Sequence, residues 1–233
     1  MFVIADGIGA SDCEAIGDAL LAQPVNALSS LAYVVVGIVV VGIATRGRRA
    51  IGPSVVYGSC VAAIGVGSVL FHGPQTAGSQ VLHDLPILIT ALFVVVADAL
   101  LLRPGMRRPW SVFVAAAIAA TALTIVEAAL AAAASGVAVA AIVVLEVVIY
   151  RRRLRDIPPR RQLMVYGLML TVVAVAATAW LLGRTGSPAC DPEGTWQFHA
   201  LWHVISAGLF ATWWWLALWE SQASRPPDTD SAA

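Results

Sequence analysis

Seven stretches of the chain are apolar for long enough to cross a hydrocarbon core of about 30 Å, which takes roughly 20 helical residues. They lie near 24–45, 51–72, 80–102, 110–128, 131–150, 162–183 and 197–219. Polar and charged residues gather between them, so the pattern predicts an all-α bundle of seven transmembrane helices. The fourth and fifth spans run together through alanine-rich sequence, and the turn between them is expected around Ser135 and Gly136. The roughly 40 residues from Trp110 to Tyr150 would make one helix of about 60 Å, twice the membrane thickness, so two spans fit there and one does not.

Charge placement orients this bundle. All 14 basic residues are arginine, and basic residues are retained on the cytoplasmic side of a membrane. Arg46, Arg48 and Arg49 follow span one, and Arg103, Arg107 and Arg108 follow span three. Arg151, Arg152, Arg153, Arg155, Arg160 and Arg161 follow span five, and Arg225 follows span seven. Only Arg184 falls on the opposite side. The N-terminus is therefore expected outside and the C-terminus in the cytoplasm. Trp180, Trp196 and Trp202 fall near the outer interface of that layout, and Trp110, Trp213, Trp214, Trp215 and Trp219 near the inner one.

Composition agrees: 59% of residues are apolar, 12% are charged, and the mean hydropathy is +0.83. Soluble domains hold about 25% charged residues. The formal net charge is zero, which leaves no basic field for a nucleic acid. Nothing in the sequence points to a protein partner. The first 20 residues carry Asp6, Asp12, Glu14 and Asp18 and no basic residue, so no cleaved targeting segment is expected. Residues 1–221 read as a single domain. The polar, proline-containing tail 222–233 is expected to be disordered and cytoplasmic.

On this layout all four histidines fall at one depth, near the outer face. His72 ends span two, His83 opens span three, and His199 and His203 open span seven. Ionisable groups are costly in a bilayer, so those retained in spans face the bundle interior and usually serve function. His199 and His203 stand at i, i+4, which puts both imidazoles on one helix face within reach of a single metal ion. Such a pair alone fits hydrogen bonding inside the bundle equally well. With His72 as a third nitrogen donor the pattern becomes that of catalytic zinc, with one position left for water.

Asp84 and Ser68 share this depth. A carboxylate beside a zinc-bound water can accept its proton, and Asp84 is assigned that role. Adjacent His83 points about 100° away on a helix and is read as an interfacial residue or a neighbour of the ligands. Ser68, one turn before His72, can donate to a substrate carbonyl oxygen as charge develops there. Its alternative is a hydrogen bond to its own helix backbone. Asp98, Glu127 and Glu146 are further polar residues of the spans, and their spacing assigns them no role. Cys13 and Cys190 both fall on the oxidising side, which allows a disulfide between them, while Cys60 lies inside span two.

At these residues the sequence resembles the alkaline ceramidase family, within the superfamily of seven-helix membrane hydrolases that includes the adiponectin and progestin receptors. The resemblance lies in C-E at 13–14, Q-P-V-N-A-L-S-S at 23–30, G-V-G-S-V-L-F-H at 65–72, L-H-D-L-P at 82–86 and F-H-A-L-W-H at 198–203. It implies zinc on His72, His199 and His203, water activation by Asp84, oxyanion support from Ser68, and a Cys13–Cys190 disulfide. Animal members bind calcium through acidic residues of the N-terminal segment. Here Glu14 and Asp12 remain, but Ile16 and Gln23 stand at positions of that pattern, which speaks against calcium. The activity implied is hydrolysis of ceramide or a related N-acyl membrane lipid to an amine and a fatty acid. The arginine-only basic set and the Ala/Val excess point to a bacterial source, so an integral inner-membrane protein is expected, with its site toward the outer face by the arginine placement. The alternative is a membrane receptor of the related branch with little or no hydrolysis. A transporter would place its polar groups near the midplane and often repeat itself, and this chain does neither.

Overall fold

The computed structural model describes residues 7–153 and 158–219, and the tail 222–233 lies outside them. It is all-helical: α1 (Pro24–Ser29), α2 (Leu31–Gly47), α3 (Ile51–His72), α4 (Ser79–Leu102), α5 (Pro109–Val126), α6 (Ala128–Arg153), α7 (Pro159–Leu182) and α8 (Phe198–Trp214). A π-helical turn, Trp215–Trp219, ends the last of these. Among the described residues there is no strand, only an isolated antiparallel bridge between Asp12 and Arg184. The short α1 runs into α2 through Ser30, whose hydroxyl donates to the Asn26 carbonyl at 2.7 Å, and the two together form one span, Pro24–Gly47. Among the described residues six segments are long and apolar enough to cross a membrane, and the 24-residue α7 contains a further apolar stretch, Gly167–Leu182.

The expected turn at Ser135 and Gly136 is not where the fourth and fifth spans divide. Both residues are helical within α6, and the break falls at Glu127, which is extended (φ −154°, ψ 101°). Alanine, glycine and serine sustain a membrane helix, and the Ser135 hydroxyl is satisfied by the Ala131 carbonyl at 3.0 Å. A carboxylate is the group that leaves the span. Glu127 sits exposed and accepts from the Ala129 amide at 3.2 Å.

The core is built by α2, α3, α4 and α8 around Tyr33, Tyr57, Phe93 and Trp214. Lipid tails are as apolar as leucine, so membrane helices associate through small residues that let backbones approach. Gly67 is the sharpest case on α3, since a Cβ there would run into the Leu82 carbonyl of α4. That carbonyl is without its usual helical donor because Pro86, four residues on, has no N–H. The contact brings the last turns of α3 against the first turns of α4. Trp213 and Trp214, expected near the inner interface, both bond into the bundle. The Trp213 indole donates to Asp98 Oδ1 at 3.0 Å, and Trp214, 3% exposed, donates to the Ser54 hydroxyl at 2.9 Å.

Candidate metal centre

Two helix ends meet at one end of the bundle. His72 is the last residue of α3, and His199 and His203 occupy the first turns of α8. Their ring centroids are 5.1 Å (His72–His199), 5.3 Å (His72–His203) and 4.6 Å (His199–His203) apart. One nitrogen from each lies within 4.8 Å of the others, and all three side chains are buried. Close packing sets this position. A Cβ on Gly183, at the end of α7, would stand 2.5 Å from the His199 backbone nitrogen.

The N-terminal segment closes over this end. Cys13 and Cys190 form a disulfide with Cα atoms 5.4 Å apart, leaving Cys60 free. Backbone bonds run alongside it, from the Cys13 amide to the Gly183 carbonyl at 2.8 Å and from the Ala15 amide to the Pro192 carbonyl at 2.9 Å. Glu14 caps α1, its two oxygens accepting from the Val25 and Asn26 amides at 2.7 and 2.8 Å. Burial raises the Glu14 carboxyl above its ordinary range, opposed by those same amides. Asp12 Oδ1 accepts from Arg184 Nη1 at 3.0 Å and lies 3.4 Å from His199 Nδ1. Burial pushes the Asp12 carboxyl up to about 6, against the pull of the Arg184 guanidinium.

Every histidine of the group therefore has a neighbour at Nδ1. Gln23 Oε1 is 2.7 Å from that of His72, and Ser29 Oγ is 2.9 Å from that of His203. His72 Nε2 is buried and has no hydrogen-bond partner. A buried polar atom left without a partner is costly. Three buried imidazoles, two of them with a buried nitrogen that has no hydrogen-bond partner (His72 Nε2 and His199 Nδ1), form a donor set that suits a borderline-soft divalent ion such as zinc. The residues present can hold a metal ion.

Asp84 and Ser68 border this group without belonging to it. Ser68, 1% exposed, bonds to Ser30 Oγ at 2.8 Å across the α1–α3 contact rather than to its own backbone. Asp84 accepts from Gln80 Nε2 at 2.5 Å and from the Nδ1 of His83 at 2.7 Å. The neighbouring side chains His83 and Asp84 thus lean together although helical periodicity separates them. His83 stacks on Phe71 at 4.4 Å, with its ring 6.2 Å from that of His72.

Sequence reasoning named Gln23 and Asp12 only in connection with calcium, and gave Ser29 and Ser30 no role beyond their place in the Q-P-V-N-A-L-S-S motif. The signal was available. Gln23, Asn26, Ser29 and Ser30 are polar at i, i+3, i+6 and i+7 where an apolar span begins, which marks one helix face turned inward. Asn26 on that face is fully buried, with neither side-chain atom bonded.

The fold and the site define a multi-pass helical membrane protein with a buried histidine cluster suited to a metal. Residues 17–231 match the Ceramidase family, nearly the whole chain, and the protein belongs to that family. No individual curated protein matches the chain.

Proposed function

We propose that this protein is a zinc-dependent amide hydrolase that cleaves ceramide or a related N-acyl lipid within the membrane, releasing a free amine and a fatty acid. The observation that carries this reading is the buried cluster of His72, His199 and His203, with the idle nitrogen of His72, in a chain of the Ceramidase family. When bound, zinc lowers the pKa of a coordinated water to about 7 and polarises the amide carbonyl.

The chain's own groups supply the rest. Asp84 accepts the proton of the attacking water on a carboxylate oxygen and passes it to the departing nitrogen, while Gln80 and His83 hold that carboxylate in place. Ser68 donates to the carbonyl oxygen as it gains negative charge. Its hydrogen faces Ser30 before substrate arrives, because the Ser30 hydrogen is already given to Asn26. Substrate binding exchanges one acceptor for the other.

Arginine placement supports a site on the outer side. Arg46, Arg103 and Arg153 stand at helix ends remote from His72 along their own helices or hairpins, and His199 opens α8 from the opposite end. In a bacterial inner membrane that face is periplasmic. The test is hydrolysis of a panel of N-acyl lipids by the purified protein, with and without a zinc chelator. Chelator-sensitive release of fatty acid from at least one N-acyl lipid is expected, and zinc-replete protein that cleaves none would overturn the reading.

A further inference from the structure

Gln23 is fully buried at the N-cap of α1. Its Nε2 lies 3.0 Å from the Gly9 carbonyl oxygen and 2.7 Å from that of Glu14. Carbonyl oxygens only accept, so the amino group of the side chain must face them and Oε1 must face His72 Nδ1. An amide oxygen only accepts as well. The proton therefore sits on Nδ1 of His72, and the lone pair on Nε2, the nitrogen left without a partner.

The same reasoning holds at His203. The Ser29 and Ser30 hydroxyls donate to the Asn26 carbonyl at 2.9 and 2.7 Å. Each hydroxyl has one hydrogen, and both are thereby committed. With both hydrogens on the Asn26 carbonyl, their oxygens, 2.9 and 3.3 Å from His203 Nδ1, are left to accept from it. His203 too carries its proton on Nδ1 and its lone pair on Nε2.

We infer that Gln23 and Ser29 are positioning residues of the metal centre, holding His72 and His203 in the Nδ1–H tautomer so that both Nε2 lone pairs are ready before a metal arrives. The six-residue helix α1, with its cap, presents both acceptors and so couples the N-terminal segment to the site. Such outer partners fix ring orientation and tautomer, and losing one typically costs about 10–100-fold in metal affinity. The inference rests on reading the histidine cluster as a metal centre and is independent of the substrate.

The test uses the full chain in nanodiscs, labelled with ¹⁵N at histidine only and stripped of metal by a chelator. The chain has four histidines, so each ring signal can be assigned by single substitution. Wild-type protein should show His72 and His203 protonated on Nδ1. Gln23→Leu should move His72 alone toward the Nε2–H tautomer and weaken zinc binding, read by chelator competition, about 10–100-fold. Ser29→Ala should move His203 part of the way, since Ser30 remains at 3.3 Å, and Ser29→Thr should restore it. If Gln23→Leu does not fold, the wild-type spectrum and the Ser29 pair decide. His72 protonated on Nε2 in the wild type, or variants that leave tautomer and zinc affinity unchanged, would overturn the inference. Correct tautomers in a protein that cleaves no N-acyl lipid would remove only the proposed function.

Discussion

Helices α3 and α6 are both long apolar segments, yet half of the apolar stretch of α3 (50%) is buried in the protein and only 11% of that of α6. The less apolar of the two is the one inside. In water the interior collects the hydrophobic residues, whereas in a bilayer both environments are apolar and hydropathy cannot rank them. What distinguishes α3 is small and polar residues: Ser54, Gly58, Gly65, Gly67, Ser68 and His72 are all buried. On α6 the exposed positions include Leu130, Val137, Val143 and Val144 together with Ala132, Ala133 and Gly136, none of which needs a polar partner. The helix that carries chemistry is the one whose side chains need partners.

The largest effects should come from breaking the buried end of that comparison. His203→Ala removes one of three nitrogen donors and should abolish stoichiometric zinc and with it hydrolysis, as read by metal analysis and turnover of the same preparation. Asp84→Asn should separate the two readouts, retaining zinc while turnover falls by about 10²–10⁴-fold. Normal turnover in that variant would remove the assigned base. Ser68→Ala should keep zinc and lose about 10²–10³-fold in turnover, the range for one well-placed oxyanion donor.

Smaller effects should appear when the two helices receive the same substitution. Gly67→Ala puts a methyl group into the Leu82 carbonyl and should destabilise the bundle by about 1–3 kcal/mol in a reversible denaturation series. Gly136→Ala on α6 meets nothing and should be neutral or stabilising by up to about 1 kcal/mol. Equal effects at the two sites would show that the contrast between α3 and α6 is not one of packing.

Much of this was legible in the sequence because two strong periodicities were present. Apolar runs of membrane length marked the spans, and the i, i+4 spacing of His199 and His203 placed two imidazoles together without any tertiary information. The division of α5 from α6 was misplaced because an alanine-rich run offers no hydropathic break. The charge of Glu127 was the physical reason for the turn. The partners of the imidazoles were harder to see, since they come from far along the chain. Asp12 reaches His199, Gln23 reaches His72, and Ser29 reaches His203 only once the N-terminal segment is folded over α8. The inclination of Asp84 and His83 toward each other was hidden for a different reason: a 100° step describes Cα directions, and side-chain torsions can bring neighbouring tips to 2.7 Å.

The central claim is a zinc ion held by three histidines where the ends of α3 and α8 meet, and X-ray absorption at the zinc edge of the purified protein tests it most directly. The account predicts one zinc per chain with three nitrogen ligands at about 2.0–2.1 Å and no sulfur, a signature that disappears in His72→Ala and persists in His83→Ala. Protein that takes up no zinc, or zinc lost with His83 and retained without His72, would contradict it.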